Sequence, residues 1–427
     1  MNARMMTALG LALGAFAAAA GAQTIAITGG KVFPVSGPPI ENGTVLIRDG
    51  KIVAVGANVA IPADAQRVDA SGKWVTPGLV NPGNQLGLAE VGFGADANES
   101  HARTPDNIAA SFRAWDGLNP HSVYIPATRE DGITSNLSIP VGGLVAGQGA
   151  LIDLLSTSRA DMIVKAPAVM VAQITDDQSA GTGARGQLLA KLRALLDDAK
   201  YYAAHRAEFD RGQARTMTVP RAELEAMVPV IQGRLPFLIY ADQASDIEAA
   251  LALAKEYGFK LILGSAAEGW MVADKIAAAK VPVIVGAMNN IPNSFASLGT
   301  RQDNAALLRK AGVTVALMGN AGGGDEELLN VRNIRYEAGN AVGYGMSWDD
   351  ALRAITLVPA ELFGAADRIG SLQPGREANV VVWDGDPFEF ATHATAVFIR
   401  GQRQTDTSRQ DLLMQRYKTL PPAYEGP

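Results

Sequence analysis

Tyr240 and Asp242 close an apolar run, Leu235-Pro236-Phe237-Leu238-Ile239-Tyr240-Ala241-Asp242. A phenol and a carboxylate so placed can act as acid and base without a metal. Imidazole chemistry has little material here. The chain has four histidines, His101, His121, His205 and His393, and no cysteine. Thiolate metal sites, disulfides and a cysteine nucleophile are therefore excluded. His205 ends a surface-type helix and His393 lies far along the chain, so both read as solvated or locally bonded. His101 and His121 flank a long polar loop, where unpaired histidines are more often structural than catalytic. Glu90, Asp96, Glu99 and Arg103 in the same loop read equally as polar-ligand groups and as a solvated surface. The run Gly322-Gly323-Gly324-Asp325 could cradle an anion on its backbone N–H groups, though a lone glycine run more often marks a flexible loop. No Gly-x-Ser-x-Gly elbow, Walker motif, dinucleotide fingerprint or paired-carboxylate glycosidase signature occurs.

The elements that must position these residues alternate. Strand patterns at Leu235–Tyr240, Lys260–Leu263, Val281–Val285 and Val313–Met318 are separated by helical patterns. These include a capping box at Ser245-Asp246-Ile247-Glu248 opening a helix through Lys255, a helix over Trp270–Ala279 and another over Gln302–Ala311. Helices are also expected over Glu326–Gly339 and Ser347–Thr356. This rhythm predicts βα units around a parallel sheet. An amphipathic helix spans Gln187–His205, with Leu188, Leu192, Leu195 and Tyr202 at helical spacing. No strand can be placed between Asp161 and Arg185 by pattern. The chain ends differ. Short strands run through Gln23–Val75, with a hairpin signal at Asp49-Gly50, and a further strand, Val380-Val381-Val382-Trp383, follows Leu372-Gln373-Pro374-Gly375.

Three separated motifs resemble the amidohydrolase superfamily, the imidazolonepropionase-like and dihydroorotase-like metal-dependent hydrolases. They are GTVLIRDGKIVAVG near the start, WVTPGLVNPGNQ at Trp74–Gln85, and Gly370-Ser371-Leu372-Gln373-Pro374-Gly375-Arg376-Glu377-Ala378-Asn379 near the end. In the last motif Asn379 stands where the family has Asp. The resemblance implies an α/β fold: a TIM (β/α)8-type barrel with a composite small β-sandwich formed by both chain ends. It implies the sandwich at 23–75 and 366–405 and the barrel at 76–365; the residue pattern places a signal peptide at 1–22 and a helical tail at 406–427. In the family, one or two divalent ions at the carboxyl ends of the strands activate a water for attack. The metal-holding positions differ in this chain. The first strand's His-x-His is Gly83-Asn84-Gln85; the fifth strand's His-Ala-His is Tyr240-Ala241-Asp242; the sixth strand's His is Ser265; the eighth strand's Asp is Asn320. Glu268 and Asp246 match the family pattern. Lys165 is a weak counterpart of the fourth-strand lysine and reads as structural. Neutral Gln, Ser and Asn lack the donor strength of imidazole or carboxylate toward Zn²⁺, so no metal is expected.

Net charge is −6, with 48% hydrophobic and 19% charged residues, which disfavours a nucleic-acid partner. Arg4, the apolar run Met5–Ala20 and Ala20-Gly21-Ala22 read as a cleaved secretory signal, and hence as export to the periplasm without a lasting membrane anchor. Three functions stay open. One is a non-hydrolytic protein that binds a small molecule at Gly83, Gln85, Tyr240, Asp242, Ser265, Glu268 and Asn320, or supports an active homologous subunit or a homo-oligomer. Another is a hydrolase of non-peptide C–N bonds with a divalent ion such as zinc on non-standard ligands. The last is a metal-independent enzyme using Tyr240 and Asp242, with Asn320 as a weaker candidate.

Overall fold

The computed structural model describes residues 24–90, 98–174, 184–288, 292, 295–319, 331–404 and 407–419. Five strands come first: β1 (Thr24–Val32), β2 (Ile40–Arg48), β3 (Lys51–Gly56), β4 (Gln66–Asp69) and β5 (Trp74–Pro77). Eight follow: β6 (Leu79–Asn84), β7 (Ile133–Ser138), β8 (Val145–Asp153), β9 (Ile163–Gln173), β10 (Phe237–Ala241), β11 (Leu261–Ser265), β12 (Val283–Val285) and β13 (Val315–Leu317). The last are β14 (Val380–Trp383), β15 (Ala394–Ile399) and β16 (Gln402–Arg403).

Strands β6 to β13 form one eight-stranded sheet in sequence order. Its interior is packed by Val80, Leu137, Val169, Val171, Leu238, Ile262, Ile284 and Ala316, the filled centre expected of a barrel of this size. Gly319 N–H donates to Asn81 Oδ1 at 3.1 Å across the seam between β13 and β6. The Asn81 amide in turn donates to Asn136 Oδ1 on β7 at 2.8 Å. Val80 N–H donates to Ile355 O instead of to a neighbouring strand. The first and last strands are thus joined by side-chain bonds in place of a ladder.

One strand departs from the all-parallel expectation. β8 runs antiparallel to both β7 and β9. Residues 139–144 alone link β7 to β8, and a parallel crossover needs about a dozen residues or more, so a hairpin forms. The link lies at the barrel mouth, where the parallel strands end. β9 also fills the stretch that sequence pattern left blank.

The other sheet joins both chain ends. Its path is β16-β15-β14-β5-β1-β2-β3, with β4 pairing β1. Ile25, Ile27, Ile47, Ile52 and Val75 pack against Val380, Val382 and Phe398. β5 extends through Pro77 by pairing with β14, so the barrel begins at Leu79. At the crossing, a Cβ on Gly78 would lie 2.0 Å from Thr134 Oγ1, which reserves that position for glycine.

Candidate functional site

The carboxyl ends of β6, β10 and β11 bring the sequence candidates together. Tyr240 lies near the end of β10, and its ring covers Gly264 of β11. A Cβ on Gly264 would meet Tyr240 Cδ1 and Cε1 at 2.8 Å. The same side chain reaches across to the first strand. A Cβ on Gly83 would lie 3.6 Å from Tyr240 Oη and 3.3 Å from Ile139 Cδ1. The phenol therefore spans the mouth: Gly264 makes room for its ring, and its hydroxyl comes within contact distance of Gly83. Gln85, just past β6, is buried, and its carbonyl accepts from Leu88 N–H and Ala89 N–H. Between them Asn84 Oδ1 accepts from Leu86 N–H at 3.0 Å.

Asp242 accepts a short hydrogen bond from Ser265 Oγ and a weaker one from Ala267 N–H at 3.4 Å. Burial pushes its carboxyl above the usual carboxylate value, against the pull of those two donors, and the nearby Glu268 adds to the rise. Ser265 and Ala266 both hold positive φ, 66° and 48°. Two non-glycine residues in this conformation store strain of the kind that collects at functional sites. Ala266 N–H donates to Ala241 O at 3.1 Å and Asn304 Nδ2 donates to Ala266 O at 2.9 Å, which hold the turn.

Glu268 has a defined task. Its Oε2 accepts from Ala244 N–H at 2.9 Å, at the start of the helix Ala244–Tyr257. That helix has Gln243 as its N-cap residue, with no side-chain cap of its own. The capping box expected at Ser245 is therefore not what holds it; a carboxylate from the next strand is. Asp246 is buried one turn in and accepts from Arg185 Nη1 at 3.3 Å. Burial raises its carboxyl, with Arg185 opposing and the Asp242 and Glu268 charges adding. Arg185 also donates to Gln243. No local pattern marks Arg185, because its partners lie far along the chain.

Of the loop candidates, Glu90 and His101 are bonded within the loop itself. Glu90 accepts from Asn119 Nδ2 at 2.9 Å, Ser122 Oγ at 3.2 Å and Val123 N–H at 3.3 Å. His101 bonds Ser100 Oγ at 3.0 Å and packs on Gly142 in the β7–β8 link. Partial burial and the Arg103 charge hold its imidazole below its ordinary value. His121 is exposed, and Asn119 Oδ1 accepts from its N–H at 3.0 Å. Lys165 sits early in β9, turned to Gly364 O at 3.4 Å and away from the mouth. Asn320, Asp96, the run Gly322–Asp325 and segment 1–22 lie outside the described residues. Among the described residues, no three His, Cys, Asp or Glu side chains converge as a metal set. No described helix is long and apolar enough to cross a membrane.

This barrel, with its mouth between β6, β10 and β11 and its sheet of joined chain ends, has known relatives. The amidohydrolase family model matches residues 172–407, more than half the chain, and the chain belongs to that family. It is similar to the crystal structure of an amidohydrolase from Thermotoga maritima, with a TM-score of 0.81 and 28% identity over 90% of this chain and 100% of that one. It is 25% identical to the imidazolonepropionase of Mesorhizobium japonicum over 376 residues, 81% of this chain and 87% of the relative. It is 24% identical to amidohydrolase tasK of Hapsidospora irregularis over 401 residues, and there the match spans 40% of the relative.

Proposed function

We propose that this chain is a non-hydrolytic member of the amidohydrolase family that binds a small polar molecule at the barrel mouth without a catalytic metal. The observation that carries this is the Tyr240 ring, laid between Gly264 and Gly83. It lies across the first-, fifth- and sixth-strand positions from which the family's histidines would converge. The donors left there are Gln85, Ser265 and the phenol, a poor set for Zn²⁺. The same groups suit an amide or carbonyl ligand. Gln85 and Tyr240 can each donate and accept, and Asp242 accepts from N–H. Exposed Met271, Met288, Phe295 and Leu298, following β11 and β12, favour a ligand with an apolar side. The relatives' names point to cyclic amides and amino-acid derivatives as the class to try. Residues 1–22 favour export to the periplasm by their charge and hydropathy pattern, where the protein could support an active homologous subunit.

A second reading has its own support. Burial raises the Asp242 carboxyl, which suits a proton-carrying partner of Tyr240 in metal-independent catalysis. Calorimetry with cyclic amides and N-acyl amino acids, each recovered and analysed afterwards, separates the readings. Binding that weakens about tenfold in Tyr240→Ala, with the ligand recovered intact, supports the proposal. Turnover that survives chelation and falls in Asp242→Asn supports the second reading. Turnover abolished by chelation and restored by a divalent ion overturns both.

A further inference from the structure

The end of the barrel opposite the mouth carries a cleft of about 880 Å³, within the range of small-molecule sites. It lies where β10, β11 and β12 begin, between the helices Ala244–Tyr257 and Ala273–Ala279. Leu251, Phe259, Leu261, Val281 and Leu362 give it an apolar floor. Its rim is cationic in a chain whose net charge is −6. Two carboxylates reach the rim, and each is already engaged: Glu248 with Lys275 at 2.5 Å and Glu361 with Arg353 at 3.6 Å. Lys255, Lys260 and Lys280 also line the cleft and have no side-chain partner among the described residues.

Lys280 adds a second observation. It is the C-cap of the helix Ala273–Ala279 and holds φ 54° and ψ 33°, the left-handed conformation. Gly258 closes the neighbouring helix in the same conformation, at φ 76°. Glycine is the favoured residue at such a cap, and a side chain with a β-carbon is strained there. One of these two helices thus ends in glycine and the other in lysine, and the lysine lines the cleft. What the lysine adds is its ammonium group at the rim.

We propose that this cleft binds an amphipathic carboxylate, its chain on the apolar floor and its charge among Lys255, Lys260 and Lys280. The site is independent of the barrel mouth. Titration calorimetry of the full chain with decanoate below its micelle concentration tests this, with decanol and acetate as controls and sedimentation run alongside. Decanoate should bind, and decanol and acetate each at least about tenfold more weakly, because each lacks one half of the recognition. Lys280→Gly should weaken decanoate about fivefold while the melting temperature of the free protein holds or rises, since the strained cap is relieved. Ala252→Trp, on the exposed wall of the cleft, should abolish binding, and Tyr240→Ala should leave it unchanged. No binding at millimolar decanoate, equal binding of decanol, an unaffected Lys280→Gly, or loss in Tyr240→Ala would each overturn the proposal. A dimer dissociated by Ala252→Trp would overturn it too, by showing a second copy in the cleft.

Discussion

Asp242 is held at a cost. Its carboxyl is buried beside Glu268, and its raised value in the fold means that the protonated form is favoured there. Its contribution to stability is therefore full below the ordinary value of 3.8 and is lost as pH rises through the raised folded value. At neutral pH the charge weakens the fold. Asp242→Asn keeps an oxygen for Ser265 and removes the charge. It should raise the melting temperature at pH 7 and leave it unchanged at pH 3; a drop at pH 7 would refute this. Asn379 shows the opposite economy. Its amide donates to Asp153 Oδ1 at 2.9 Å, and its Oδ1 accepts from Arg400 N–H at 2.8 Å. Asp153 is fully buried, bonded by Ser135 Oγ at 2.7 Å and paired with Arg400 at 2.7 Å. Asn379 thus both donates and accepts at a buried position, beside a carboxylate that can only accept. Asn379→Asp would set two carboxylates together and should destabilise by about 3–5 kcal/mol in denaturant titration. An effect under about 1 kcal/mol would contradict it.

At the scale of elements, strands with a helix on each side were readable from alternation, and β10 to β13 fall where pattern puts them. β9 was not, because Ile163–Gln173 lacks a clean period and is paired on both edges. The reversed β8 was also hidden, since direction follows from the length of a link and not from composition. The mouth was legible as a set of positions, Gly83, Gln85, Tyr240, Asp242 and Ser265. The role of Gly264 was not, because it depends on which face the Tyr240 ring covers. Glycine likewise governs the contact between the two sheets. Gly132 has φ 79°, and a Cβ there would sit 2.2 Å from Trp383 Cη2. Trp383 Nε1 donates to Thr76 Oγ1 at 2.9 Å, tying β14 to β5. Gly132→Ala should cost about 3 kcal/mol or more by combining backbone strain with overpacking. Full stability in that variant, read by thermal melts, would show that the two sheets move independently.

For the whole molecule, membership in the amidohydrolase family and the chemistry of this barrel mouth are separate questions, because a fold does not fix its chemistry. The motifs at both chain ends made the architecture readable, because one sheet must be built from both. The site was half readable: the residue types at the mouth are visible in a sequence, but which side chain lies across the others is not. The central claim is that this barrel mouth does not hold a catalytic metal. Elemental analysis of tag-free protein after incubation with Zn²⁺ or Mn²⁺ and exhaustive dialysis tests it directly. Well under one ion per chain is the predicted result. Retention of about one ion or more per chain, lost on chelation together with any hydrolytic turnover, would contradict it.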